Sequence, residues 1–187
     1  MHVLRLVLPL LLATALPIFP SRPADAATTA NTRIKIATQY GDIVVQLEEK
    51  RAPKTVANFL HYVDTKFYDG GTFFRAIPAF VIQGGNQSKE KPTDTQIVLE
   101  PPKQTGIHNK DGVISMARTS EPNSATSEFF ICDGDQPALD ETSNSAGYAA
   151  FGHVLSGMGI VRKIARLPAE SEHLLKPVEI QSITRVR

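Results

Sequence analysis

Phe73-Phe74-Arg75-Ala76-Ile77-Pro78-Ala79-Phe80-Val81-Ile82-Gln83-Gly84-Gly85 is the stretch on which the reading of this chain turns. It is apolar apart from two strongly polar side chains, Arg75 and Gln83, which lie eight positions apart. In an extended strand an even spacing puts both on one face. A guanidinium on an apolar surface is costly unless it is partnered or working. The segment therefore predicts an apolar pocket with a fixed cation and an amide at its edge, suited to polarising a neutral substrate. Taken alone, it is equally well explained by a surface Arg and a strand-edge Gln.

The flanking sequence supplies the context. Upstream, Thr32–Thr38 alternates polar and apolar residues, Tyr40-Gly41-Asp42 reads as a turn, and Ile43–Glu48 follows as a second strand, so the pair predicts a hairpin. Pro53 opens a helical pattern in which Val56, Phe59, Leu60 and Val63 fall on one face, ending near Lys66. Downstream, short apolar runs alternate with Gly- and Pro-rich turns. The predicted strands are Phe73–Gln83, Gln96–Leu99, Val113–Ala117, Phe129–Cys132 and Ala149–Val154. Met158–Arg166 predicts a second short helix, and Pro177–Val186 a last strand with an irregularity at Gln181-Ser182. Many short strands and two helices point to a mainly β, antiparallel barrel or sandwich.

The chain has 187 residues, enough for one domain with a real core. Its start has the order of a secretory signal peptide: Arg5, an apolar run from Leu6 to Phe19, then Ala24-Asp25-Ala26 as a small-x-small cleavage site. The apolar run falls short of the ~20 residues that a spanning helix needs. The expected division is a signal peptide over 1–26, a flexible leader over 27–31 and one domain over 32–187. Cleavage after Ala26 predicts a periplasmic or secreted protein with no stable membrane insertion. It also removes Arg5, Arg22 and Asp25, leaving 18 basic and 18 acidic residues. That balance argues against a nucleic-acid-binding surface and is compatible with a monomer. Cys132 has no partner for an internal disulfide and reads as a buried, inert thiol.

Other chemistries find no motif. His61, His108, His153 and His173 lack metal-ligand spacing, so no metal is expected. Ser115-Met116-Ala117-Arg118 lacks the Lys of an S-x-x-K hydrolase. Asp133-Gly134-Asp135 starts like a calcium loop but does not continue as one. No phosphate-binding or dinucleotide motif is present.

Four blocks of the chain carry a family resemblance. Phe73–Gly85 resembles the signature of cyclophilin-type peptidyl-prolyl cis-trans isomerases, in which an Arg sits within F-H-R-x-I-P-x-F-x-x-Q-G-G. Pro53–Phe59 is similar to the family's first-helix signature. Ile114–Ala117 with Ser127–Ile131 resembles its second block, and Ala138-Leu139-Asp140 with Phe151–Val154 its third. The similarity runs from Thr32 to Val186, and Met116-Ala117-Arg118-Thr119 resembles the bacterial secreted branch in particular.

The resemblance implies a closed eight-stranded antiparallel β-barrel capped by two α-helices, acting on X–Pro bonds of unfolded or flexible exported proteins without a cofactor. It implies a catalytic set of Arg75, Gln83 and Phe80, with Gln83 buttressing Arg75. It further implies that substrate contacts come from Val81, Ala117, Arg118, Glu128, Phe130, Leu139 and Tyr148. Of these, Val81, Phe130 and Leu139 join Phe80 as walls for the proline ring, while the Arg118 backbone pairs with the preceding residue.

Four departures from the family pattern stand out. Phe74 replaces a His whose side chain should point away from the pocket, and Val81 stands where Met is common. Glu128 replaces Gln and is expected to pair with Arg75, drawing it partly off the substrate. Ala138 stands where other members carry Trp or Phe, which implies weak cyclosporin binding. Ala138 and Glu128 leave open a module that binds peptides without efficient turnover, although retention of Arg75, Phe80, Gln83 and Phe130 argues against it. A barrel holding a small apolar ligand would need a hollow interior, and the bulky Ile, Val, Phe and Leu content predicts a filled one.

Overall fold

The computed structural model describes residues 32–87 and 96–186. The predicted signal peptide and leader lie outside the described residues. In chain order the elements are strands β1 (Arg33–Thr38) and β2 (Gly41–Leu47), helix α1 (Pro53–Asp64), β3 (Gly71–Ile77), β4 (Val81–Gly85), the one-turn helix α2 (Pro102–Thr105), β5 (Val113–Met116), β6 (Phe129–Cys132), a 3-10 turn at Pro137–Leu139, β7 (Ala150–Ser156), helix α3 (Met158–Ala165), β8 (Ala169–Glu170) and β9 (His173–Val186). Eight strands close a ring in the order β1-β2-β7-β5-β6-β4-β3-β9, and β9 pairs back onto β1. The two-residue β8 pairs only with β9, outside the ring. All the strand pairings are antiparallel.

Alternation within the strands fills the barrel. Ile34 and Ile36 of β1 and Ile43, Val45 and Leu47 of β2 are fully buried. Phe59 of α1 meets Phe129 of β6 and Phe151 of β7 at ring separations of 5.6 and 5.1 Å, so the helix caps the barrel through its apolar stripe. On the opposite register of β1, Ala37 faces Ser182 but Thr38 faces Ile180. Gln181 is thus the extra residue of a bulge, which is the irregularity expected there.

Two expectations need correction. Phe73–Gln83 is not one strand: it folds into the β3–β4 hairpin about Pro78 and Ala79. Arg75 and Gln83 share a face because they are directly opposite in register across the two strands. The turn has Pro at its second position and Ala79 at φ 58° in its third, where a type II turn normally has Gly. The buried Asp133 secures it, accepting from the Ala79 N–H at 3.0 Å while its own N–H donates to the Phe80 carbonyl at 2.8 Å.

Gln96–Leu99 is not a strand either. The segment is irregular and delivers Glu100 to the start of α1. There the buried carboxylate accepts from the Lys54 and Thr55 N–H groups at 3.2 and 2.8 Å and from the Thr55 hydroxyl at 2.7 Å. Ala52 provides no side-chain cap, so a residue 45 positions away satisfies donors that the helix itself leaves unpaired.

Candidate active site

Two devices in the barrel wall turn side chains outward. The first is β6, whose four residues are all buried because both of its faces are covered. Phe129 and Ile131 point into the core, whereas Phe130 and Cys132 join Val81 in a second, external apolar cluster with Phe80, Ala117, Leu139 and Tyr148 around it. The second is a bulge at Phe74. Phe73 pairs with Gly84 and Arg75 with Gln83, leaving Phe74 as the extra residue. Without it, Phe73 and Arg75 would share a face. With it, Phe73 is in the core while Arg75 reaches the external pocket.

That pocket is about 210 Å3 and is lined by Arg75, Phe80, Val81, Gln83, Ala117, Arg118, Phe130, Leu139 and Tyr148. It falls below the ~300–1,000 Å3 of sites for drug-sized ligands, so it admits a single ring or side chain. Nine of the ten side chains singled out from sequence meet here. Phe74, as expected, does not line the pocket. Neither does Glu128, which stands behind Gln83.

At the rim, Arg75 donates from Nη1 to Gln83 Oε1 at 3.2 Å, and Gln83 Nε2 donates to Glu128 Oε2 at 3.0 Å. The expected Arg75–Glu128 ion pair is therefore replaced. Glu128 instead fixes the Gln83 amide, and because a carboxylate only accepts, it turns the Gln83 oxygen towards Arg75. The ion pair of Arg75 is with Glu172, a residue that the sequence reading missed. Its Oε2 accepts from Nε at 2.9 Å and from Nη2 at 2.7 Å. No local motif announces Glu172, since only the β8–β9 turn brings it to β3.

The far wall is set from beneath. Leu139 ends the 3-10 turn, and its carbonyl accepts from the Tyr148 N–H at 3.0 Å and from Asn109 Nδ2 at 3.1 Å. Asp140 accepts from the Asn109 N–H and Nδ2 at 2.9 and 2.8 Å and contacts His108 Nδ1 at 2.8 Å. Ser115 donates to Asn109 Oδ1 at 2.6 Å, which ties this network to β5. Burial works to raise the Asp140 carboxyl, but the bonds from Asn109 and His108 outweigh it and hold the group below its usual range.

Tyr148 packs edge-on against Phe130 at 5.5 Å, with the Arg118 guanidinium 4.7 Å over its ring. Arg118 also donates from Nε to the Gly147 carbonyl at 2.8 Å and from Nη1 to the Thr119 carbonyl at 2.7 Å, joining two loops at the pocket's edge. Cys132 lies behind the wall. Burial, with Asp140, Asp111 and Asp135 nearby, pushes its thiol up to about 12, as befits an inert buried Cys.

A family model described as cyclophilin type peptidyl-prolyl cis-trans isomerase/CLD matches residues 33–185. The chain belongs to the cyclophilin-type peptidyl-prolyl cis-trans isomerases. It is 41% identical over 177 residues to peptidyl-prolyl cis-trans isomerase A of Dickeya dadantii, covering 90% of this chain and 92% of that protein. It is also 41% identical over 162 residues to a peptidyl-prolyl cis-trans isomerase of Acinetobacter baylyi, covering 85% of each. The fold is that of a solved cyclophilin-type isomerase from Cryptosporidium parvum, with a TM-score of 0.73 at 24% identity over 84% of this chain and 98% of the other. The enzyme class of this cyclophilin is thus peptidyl-prolyl cis-trans isomerase, and proline-containing polypeptides are its substrate class.

Proposed function

We propose that this cyclophilin turns X–Pro bonds in exported polypeptides during their folding, with Arg75 as the catalytic donor. The observation that carries this reading is a guanidinium held on two sides at the rim of a small apolar pocket. An X–Pro amide is kept planar by resonance, with a barrier of ~18–20 kcal/mol, and isomerises unaided over tens to hundreds of seconds. Midway through rotation the nitrogen leaves conjugation and becomes a better acceptor. A donor already aimed at it binds the twisted form better than either planar isomer, which is differential transition-state binding.

Phe80, Val81, Phe130 and Leu139 hold the pyrrolidine ring while the preceding carbonyl swings. Gln83 keeps the Arg75 plane in place and meets the substrate backbone. Apolar walls lower the local dielectric and strengthen each bond to the guanidinium. No nucleophile or redox step is needed, since no covalent bond breaks.

On this reading the first 26 residues are removed on export and the remainder acts as a monomer in the periplasm or outside the cell. Ala138 is exposed and offers no ring for cyclosporin to pack on, so binding of that drug is weak. The test is cis-to-trans isomerisation of an Ala-Pro peptide by the purified protein and by Arg75→Ala at equal folded concentration. Acceleration that Arg75→Ala loses supports the reading. A folded Arg75→Ala as active as the parent removes Arg75 from the mechanism.

A further inference from the structure

The grip on Arg75 from outside the pocket has a structural cost that points to a role. Glu172 sits in the two-residue loop Ser171-Glu172 between β8 and β9. Both residues have positive φ, 47° and 69°, the pattern of a type I′ turn. Such turns favour Asn-Gly, because a Cβ is strained there. Here the loop holds neither Asn nor Gly, and its second residue carries the carboxylate that meets the guanidinium.

The loop is also fastened at the height of Arg75. The Ala76 N–H donates to the Glu172 carbonyl at 2.9 Å, and His173 is the register partner of Arg75 between β3 and β9. Two observations therefore coincide: a strained turn retained without Gly, and a carboxylate on two donors of one guanidinium. Strain that persists where a side chain is aimed at a functional group is a mark of a built site.

We propose that Glu172 is a positioning residue for the isomerase, resting on the reading of Arg75 as the catalytic donor. Of the five N–H groups of Arg75, Glu172 takes one on Nε and one on Nη2, and Gln83 takes one on Nη1. One N–H on each Nη is left for the twisted amide. Arg is a rotamer-rich side chain, and holding its plane before substrate arrives removes that ordering from the reaction step. Glu172 is not among the residues lining the ring pocket, so its loss falls on kcat rather than on KM.

The experiment measures kcat, KM and thermal unfolding for the parent, Arg75→Ala, Glu172→Gly, Glu172→Asn and Glu172→Gln on an Ala-Pro peptide. Gly and Asn suit the positive φ but cannot reach Arg75, so both variants unfold at or above the parent temperature. Their kcat falls roughly tenfold, with KM held within about twofold. Glu172→Gln keeps an acceptor oxygen in reach and stays within about threefold of the parent. A merely structural residue would not lose rate while the fold gains stability. The proposal is overturned if Arg75→Ala is inactive while folded Glu172→Gly or Glu172→Asn matches the parent kcat. If Arg75→Ala keeps full activity, the reading of Arg75 fails first and this inference with it.

Discussion

Replacing Glu100 by Ala separates the stability of the barrel from the chemistry of its pocket. The Glu100 carboxylate is 2% exposed and is the acceptor for two N–H groups at the start of α1 and for the Thr55 hydroxyl. Each hydrogen bond to a charged group contributes a net ~1.5–3 kcal/mol, and each buried donor left bare costs ~1–3 kcal/mol. The three bonds share one carboxylate, and water can enter the space an Ala leaves, so the sum is discounted to about 3–4 kcal/mol. For a chain of this length, 1 kcal/mol moves the midpoint by ~2–4 °C, which gives a fall of roughly 6–16 °C. Glu100→Gln keeps the shape but turns an NH2 towards one donor, and its loss is about 1–2 kcal/mol. Thermal and urea unfolding of the three proteins measures both. Since Glu100 is not a pocket residue, kcat/KM well below the midpoint stays at the parent value. A Glu100→Ala protein within about 1 kcal/mol of the parent would refute the account of how α1 is capped.

Three further outcomes are expected. Arg75→Lys retains the charge but not the planar fork that Glu172 and Gln83 hold together, so kcat/KM on the Ala-Pro peptide falls by about 10²-fold; a loss below about threefold counts against the geometry. Asp140 titrates below its ordinary range in the fold, so its contribution is complete above its unfolded value of ~3.9 and is lost as pH falls through the folded one. In melts from pH 7 to 2, Asp140→Asn starts less stable and loses less on acidification; parallel curves would show that the Asn109 and His108 bonds contribute nothing. Finally, Cys132, with its thiol at about 12, resists a maleimide at pH 8 until denaturant is added, and ready labelling of the folded protein would contradict its burial.

The barrel's periodic parts were readable because each carries its own signal. Ile34 and Ile36 alternate, Val56, Phe59, Leu60 and Val63 repeat at helical spacing, and even the Gln181 bulge left a trace in the apolar rhythm of the last strand. The pocket was legible because eight of its nine lining residues lie in blocks of recognisable order, Tyr148 being the exception. What escaped depends on contacts distant in sequence. The apolar run from Phe73 to Gln83 hides a hairpin because Ala79 occupies a position where Gly would have marked the turn, and Asp133, 54 residues on, holds it there. Even spacing thus put Arg75 and Gln83 on one face for the wrong reason. Gln96–Leu99 has strand-like composition but leads to Glu100, whose partners lie 45 and 46 positions back. The Arg75–Glu172 pair spans 97 residues, and its loop bears none of the glycine that announces a tight turn.

The two-sided burial of β6 divides the pocket into a part that can be redesigned and a part that cannot. Phe130 shares its four residues of backbone with Phe129 and Ile131, so a change of shape on the ligand side displaces the packing on the other. Leu139, Arg118 and Tyr148 stand on loops fastened by hydrogen bonds instead. If the pocket takes the proline ring as proposed, a library meant to alter substrate preference is best confined to those loops, with β6 left untouched.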